Sequence, residues 1–86
     1  MQNENDFTID LEKIGLKLKK IRIENGFSSY ENFAYQNDIP RVQYWRMEKG
    51  TNFTMKNLLK ILAIHKISLE DFFKENSYAL NDLFLH

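Results

Sequence analysis

IPRVQYWRMEKG, residues 39–50, is the stretch that decides the fold. It contains the chain's single proline near its start and a glycine at its end, which is how a helix is bounded. Helical periodicity directs Ile39, Tyr44 and Met47 inward. The residues of the outward face are Arg41, Val42, Trp45, Arg46 and Lys49. Because three of these are basic, the face is a candidate contact surface for a charged partner.

Composition favours one folded helical domain. The chain has 86 residues, of which 43% are hydrophobic and 28% charged, and it has only one proline and three glycines. It has no cysteine, which excludes disulfides and thiolate metal sites. The apolar runs are too short for a membrane span, and the polar, acidic start does not resemble a signal peptide. We therefore expect a cytoplasmic protein without membrane contact.

The net charge of zero conceals an uneven distribution. Residues 1–12 carry four acidic and no basic side chains, a balance of −4, and residues 66–86 carry a balance of −2. The middle segment, residues 13–65, carries ten basic against four acidic residues, a balance of +6. From the charges alone, a solvated face and a nucleic-acid-binding surface both remain open.

The first two helices are predicted from periodicity and capping residues. The first runs from near Thr8 to Gly26, with apolar residues three and four apart on one face. Those residues are Leu11, Ile14, Leu18 and Ile21. The second opens with a capping box of Ser28 and Glu31 and ends at Asn37 and Asp38, since Ile39 precedes a proline and is pushed out of the helical region.

Three more helices follow by the same signals. The third has Pro40 in its first turn and ends at Gly50. The fourth is capped by Thr54 and runs to about Ile64, and the fifth is capped by Ser68. The remaining core is predicted from Leu58, Leu59, Ile61, Leu62, Leu69, Phe72 and Phe73. The fold class is therefore all-α with five helices.

The short turn between the second and third helices, with small Ala34 where two helices cross, is typical of a helix-turn-helix. Residues 14–73 resemble the Cro and lambda-repressor-like helix-turn-helix family, also called the xenobiotic-response-element type. The matching motifs are IGLKLKKIR at 14–22, the FA of Phe33 and Ala34, Ile39, MEKG at 47–50 and LLKILAIHKISLEDFF at 58–73. Their order makes the resemblance far more specific than any one motif.

The resemblance implies a DNA interface. The family inserts its third helix in the major groove and grips the backbone with the start of the second. The resemblance implies base contacts by Arg41, Val42 and Arg46, with Gln43 and Trp45 beside them, and phosphate contacts by Ser29, Tyr30 and Lys49. It also implies an ion pair between Arg22 and Glu48, tying the first helix to the third.

The chain departs from the family pattern at the turn and inside the motif. Asp38 stands where glycine is usual, Tyr44 replaces a branched aliphatic residue, and Pro40 replaces a serine or threonine cap. Trp45 has three open roles: a dimer contact, a contact along the DNA backbone, or cover for the second helix. His65, near the end of the fourth helix, suits the dipole there as a cation, and no second ligand at metal-binding spacing accompanies it.

These observations predict a polar arm at residues 1–7, a helix-turn-helix domain at 8–75 and an apolar extension at 76–86. The extension either packs on its own domain or joins two copies. We expect a DNA-binding transcriptional regulator, a repressor that reads double-stranded DNA as a homodimer, without cofactor or metal. No catalytic constellation is present, so an enzyme is not expected. The alternative is a protein-interaction module, such as the antitoxin of a toxin–antitoxin pair.

Overall fold

The computed structural model describes residues 7–51 and 53–74 of the chain. They form five helices, namely α1 Thr8–Glu24, α2 Tyr30–Gln36, α3 Arg41–Lys49, α4 Met55–Ile64 and α5, described over 69–74. No strand occurs within those ranges, and the predicted all-α, five-helix fold is confirmed. Apart from Phe7, the polar arm lies outside the described residues, as does the whole of the apolar extension at 76–86.

One hydrophobic core joins all five helices. Its buried members are Leu18, Ile21, Phe33, Ala34, Ile39, Tyr44, Met47, Leu58, Ile61, Leu62 and Phe72. Ala34 is fully buried, in keeping with its predicted position at a close helix crossing. The inward face predicted for α3, which is Tyr44 and Met47 with Ile39 leading in, is confirmed by exposures of 0%, 1% and 7%.

Two residues predicted for the core are instead exposed. Leu59 is 45% exposed and Phe73 is 37% exposed, so both assignments were wrong. Each follows a buried residue directly, Leu58 and Phe72 respectively, and successive helical side chains point about 100° apart. That step carries Leu59 and Phe73 off the buried stripe, whereas Ile61 and Leu62, which are also adjacent, both stay within it.

Two helix starts also differ from the prediction. The cap of α2 is Ser29, whose Oγ accepts a hydrogen bond from the Asn32 backbone N–H at 3.2 Å, rather than Ser28. Pro40 is the N-cap of α3 and not part of its first turn, because its ψ of 126° is extended. The predicted caps Thr54 and Ser68 are confirmed, since each hydroxyl accepts from the backbone N–H three residues on.

Helices α1 to α4 end with the same backbone motif. The left-handed residue follows the cap in α1, α2 and α4 and is the cap itself, Gly50, in α3; in all four, the next backbone N–H reaches back five residues to a carbonyl oxygen. The left-handed residues are Gly26, Asp38, Gly50 and Lys66. At the helix-turn-helix turn, Ile39 N–H donates to the Ala34 carbonyl at 2.9 Å. Asp38 thus occupies the usual glycine position, with a φ of 57°, and the tight turn is preserved.

We expect Lys66→Gly to raise the free energy of unfolding by about 0.5–1 kcal/mol. Glycine removes the strain of a Cβ at a φ of 59°, which exceeds glycine's own entropic cost. Gly26→Ala is the matched opposite, because an added Cβ meets nothing within 4 Å and only backbone strain changes; it should cost about 1 kcal/mol. Urea unfolding of the parent and the two variants measures both changes in the free energy of unfolding. Three indistinguishable unfolding midpoints would contradict the expectation.

Candidate nucleic-acid interface

The outward face of α3 carries the side chains predicted from periodicity. Arg41, Arg46 and Lys49 are exposed, Val42 is 50% exposed and Trp45 is 40% exposed. Gln43, at the edge of this face, is half-buried. Three basic groups and two large apolar ones therefore stand on the surface of a helix whose other face is held in the core.

Helix α1 supports α3 through direct backbone contact. Gly15 is buried, and a Cβ added there would lie 2.4 Å from the Glu48 carbonyl oxygen and 2.7 Å from that of Met47. Only glycine permits this approach, because real Cβ atoms do not come so close to backbone atoms. This role of Gly15 was not predicted from the sequence, although the residue lies in the motif IGLKLKKIR.

The predicted ion pair between Arg22 and Glu48 is present and is buried. Arg22 Nε donates to Glu48 Oε2 at 2.6 Å and Nη2 donates to Oε1 at 3.2 Å, with only 4% and 7% of the two side chains exposed. Arg22 Nη1 also donates to the Phe27 carbonyl at 2.6 Å. The hydrogen bond to Glu48 raises the pKa of Arg22 above its ordinary value. One guanidinium thus joins α1, the loop before α2, and α3.

Tyr44 packs beneath this ion pair. Its ring lies 4.9 Å from that of Phe33 in α2, and its buried hydroxyl makes no hydrogen bond of standard geometry. Burial, and next the neighbouring Glu48 carboxylate, raise the pKa of Tyr44 far above its ordinary value, so the phenol stays neutral. The tyrosine therefore fills the space between the two helices as an aromatic side chain fully enclosed in the core.

Breaking the ion pair from one side should be costly. We expect Glu48→Gln to lower the free energy of unfolding by about 3 kcal/mol, because it leaves the Arg22 charge buried without its counter-ion. The double variant Arg22→Met with Glu48→Leu should recover most of that loss, since neither charge then remains. Urea unfolding followed by circular dichroism compares them. A loss below about 1 kcal/mol for Glu48→Gln would mean that the pair behaves as a surface pair.

The exposed face of α3 lies between two grooves. On the α1 side, a groove of about 350 Å³ is bordered by Trp45, Lys49, Tyr30 and Lys19, among others. On the α4 side, a groove of about 470 Å³ is bordered by Val42, Gln43, Arg46, Met47, Phe53, Thr54 and Asn57. Of the residues predicted to contact bases, Val42, Gln43 and Arg46 border the groove on the α4 side and Trp45 the groove on the α1 side, whereas Arg41 borders neither.

The three residues predicted to contact phosphate lie near the α1 side. Tyr30 and Lys49 border the same groove, and the Lys49 ammonium lies 5.7 Å from the centre of the Trp45 ring. Ser29 is the α2 cap, and a hydroxyl that accepts a hydrogen bond keeps its own hydrogen to donate. Trp45 shares the groove with Tyr30, the first residue of α2, but does not cover that helix completely, since 40% of the tryptophan stays exposed.

Arg41 has a partner that the sequence analysis did not anticipate. Its Nη1 lies 3.4 Å from Glu31 Oε2, across the turn from the first residue of α3 to the first turn of α2. The two side chains are 63% and 55% exposed. Such a pair contributes about 0–1 kcal/mol, so another acceptor can compete for the arginine.

His65 is a packing residue at the end of α4. Its ring stacks on that of Phe33 at 5.1 Å with the planes 8° apart, and its Nε2 is buried without a hydrogen bond. Burial lowers the pKa of His65 below 6.5, so the ring is neutral at pH 7 and the predicted cationic role is wrong. The described residues hold no group of three metal-ligating side chains.

We expect His65 to make stability depend on pH. Because its folded-state pKa lies below the unfolded value near 6.5, its contribution is complete above that value and is lost as pH falls from there through the folded pKa. His65→Phe keeps a stacked ring but cannot titrate. As pH is lowered from 7.5 to 5.5, the free energy of unfolding of this variant should therefore fall less than that of the parent. Parallel profiles of unfolding free energy against pH would contradict this expectation.

Comparison with known proteins gives one informative relative. No protein-family model matches the chain, and no solved structure matches it. The chain is similar to Control protein C.MunI of a Mycoplasma species, with 40% identity over 72 residues. The aligned region spans 83% of this chain and 93% of that protein. Over the parts of the chain that the structure describes, no helix is long and apolar enough to cross a membrane.

Proposed function

The chain belongs to a family of helix-turn-helix control proteins, which are DNA-binding transcriptional regulators, and from this premise we propose that it binds a roughly palindromic operator as a homodimer and represses the promoter. The proposal places it in the Cro and lambda-repressor-like subtype and in the cytoplasm. It also includes the genes of a restriction–modification system as the regulated genes, a step that rests on the control-protein relative.

One observation carries the proposed mode of binding: α3 is anchored on one face and exposed on the other. Tyr44 and Met47 are buried, and the Glu48 side chain is tied to Arg22, whereas Arg41 and Arg46 are exposed. A helix about 10 Å in diameter fits the DNA major groove, and anchoring the inner face keeps the outer side chains in one orientation. The exposed face of α3 is therefore the surface that we assign to the bases.

The chemistry of that face suits base recognition. A guanidinium can donate two parallel hydrogen bonds to guanine O6 and N7, so Arg41 and Arg46 are assigned to guanines. Val42 is assigned to a thymine methyl group, because both are apolar. Gln43 and Trp45 flank these three, and Gln43 can pair with adenine where its half-buried side chain reaches the groove.

The surrounding groups are assigned to the DNA backbone. Lys49 supplies a cation at the end of α3, while Ser29 and Tyr30 supply hydroxyl donors at the start of α2. Hydrogen bonds to phosphate position a protein on DNA without reading its sequence. Residues 13–65 carry a balance of +6, with ten basic and four acidic side chains, so they attract DNA despite the net charge of zero.

The homodimer follows from the geometry of helix-turn-helix operators. Two half-sites about one DNA turn apart require two recognition helices at a fixed separation. The chain supplies one such helix, α3, so two copies are proposed to bind together. The segment assigned to the contact between copies is the apolar extension at 76–86, which lies outside the described residues.

Binding-site selection from random duplexes tests the proposed function. We expect enrichment of two related half-sites, and sedimentation should find two copies of the protein on each enriched duplex. Sedimentation of the protein without DNA then separates preformed dimers from assembly on the operator. If no sequence is enriched even at low salt, where phosphate contacts are strongest, a protein-interaction module such as an antitoxin becomes the better explanation.

Two alanine variants should separate base reading from backbone contact. Arg46→Ala should cost about 1–3 kcal/mol on the operator and relax discrimination at one base position. Lys49→Ala should weaken operator and random duplexes alike and reduce the slope of log affinity against log salt by about 0.9. Affinity measured on both duplexes over a salt series distinguishes them. Equal weakening of both duplexes by Arg46→Ala would assign that residue to the backbone instead.

A further inference from the structure

The contact between Arg41 and Glu31 leaves most of the arginine available. The contact runs from Nη1 to Oε2 at 3.4 Å, while a guanidinium carries five N–H donors. Both side chains are more than half exposed, so a second acceptor can approach Arg41 while Glu31 stays in place. Arg41 is therefore able to contact Glu31 and a nucleic-acid acceptor together.

The charge of that second acceptor decides whether Glu31 tolerates it. Guanine O6 and N7 are neutral acceptors, so a carboxylate beside the arginine does not oppose them by charge. A phosphate oxygen is anionic and would come close to the Glu31 carboxylate when it met Arg41, which adds like-charge repulsion. Glu31 therefore favours one class of acceptor for Arg41 over the other.

We propose that Glu31 is a specificity-determining residue, which biases Arg41 toward base edges and away from phosphates. This inference rests on the proposed function and deepens it. At non-operator sites that present no guanine to Arg41, the arginine would otherwise turn to the nearest phosphate and strengthen non-specific binding. With Glu31 present, the contact of Arg41 with phosphate is disfavoured, so the protein keeps its preference for the operator over other DNA.

Glu31 also has a simpler structural role, which the test must separate. It lies in the first turn of α2, where a negative charge interacts favourably with the helix dipole. A role confined to helix stability would change the unfolding midpoint and leave the ratio of operator to random-DNA affinity unaltered. The affinity ratio is therefore the informative measurement.

The experiment compares Glu31→Gln with the parent on the selected operator and on a random duplex at the same salt concentration. We expect affinity for the random duplex to rise about three- to tenfold, because one repulsive charge close to phosphate is removed. Operator affinity should change less than twofold, so the ratio falls. Discrimination should weaken at the base pair assigned to Arg41 and persist at the one assigned to Arg46.

Glu70→Gln is the matched control, since it removes an exposed carboxylate from α5, outside the helix-turn-helix. An unchanged ratio of operator to random-duplex affinity, for example through an equal rise in affinity for both duplexes, would overturn the role of Glu31. So would an effect of Glu70→Gln on that ratio as large as the effect of Glu31→Gln. If Arg41→Ala is combined with Glu31→Gln, the effect of Glu31 on the ratio should disappear, and its persistence would also overturn the proposal. If the parent itself prefers no operator, the proposed function fails before this inference is reached.

Discussion

The position of α3 depends on a hydrogen-bonded ion pair between residues that lie 26 positions apart in the chain. Arg22 donates through Nε and Nη2 to Glu48 and through Nη1 to the carbonyl of Phe27. A charge buried to this degree is tolerated only when its counter-ion and its hydrogen bonds are all in place. The same contact that stabilises the packing therefore orients the helix. Gly15 completes the constraint, because it lets the two backbones meet.

The local distribution of charge, and not the net charge of the chain, makes this fold suitable for DNA binding. The chain has no net charge, yet its basic residues are concentrated in the segment that contains the helix-turn-helix. Within that segment, Glu48 is neutralised by Arg22 inside the fold, whereas Glu31 stands exposed beside Arg41. Two glutamates on neighbouring helices thus differ in role because they differ in burial. Glu48 holds α3 in place, whereas Glu31 is the residue proposed to bias Arg41 toward base edges.

The sequence by itself determined the helices, their order and the two faces of α3, because these follow from spacing of a few residues. Apolar residues three and four apart define a buried stripe, and the left-handed positions at Gly26 and Gly50 mark helix ends. The resemblance to a known family added the pairing of Arg22 with Glu48. Local signals failed where two adjacent residues were equally suitable for one position, as with Ser28 and Ser29, either of which could serve as the N-cap of α2.

Tertiary structure alone decided the features that depend on how helices approach one another. The contacts of Gly15 with α3 and of Glu31 with Arg41 each join two different helices, and the third hydrogen bond of Arg22 reaches the Phe27 carbonyl in the loop after α1. No helical period encodes contacts of this kind. Burial was decided in the same way: the ring of Phe33 covers His65, which lowers the pKa of that histidine and leaves it neutral. Solvent exclusion is a property of the packed chain, so it is defined only once the helices have come together.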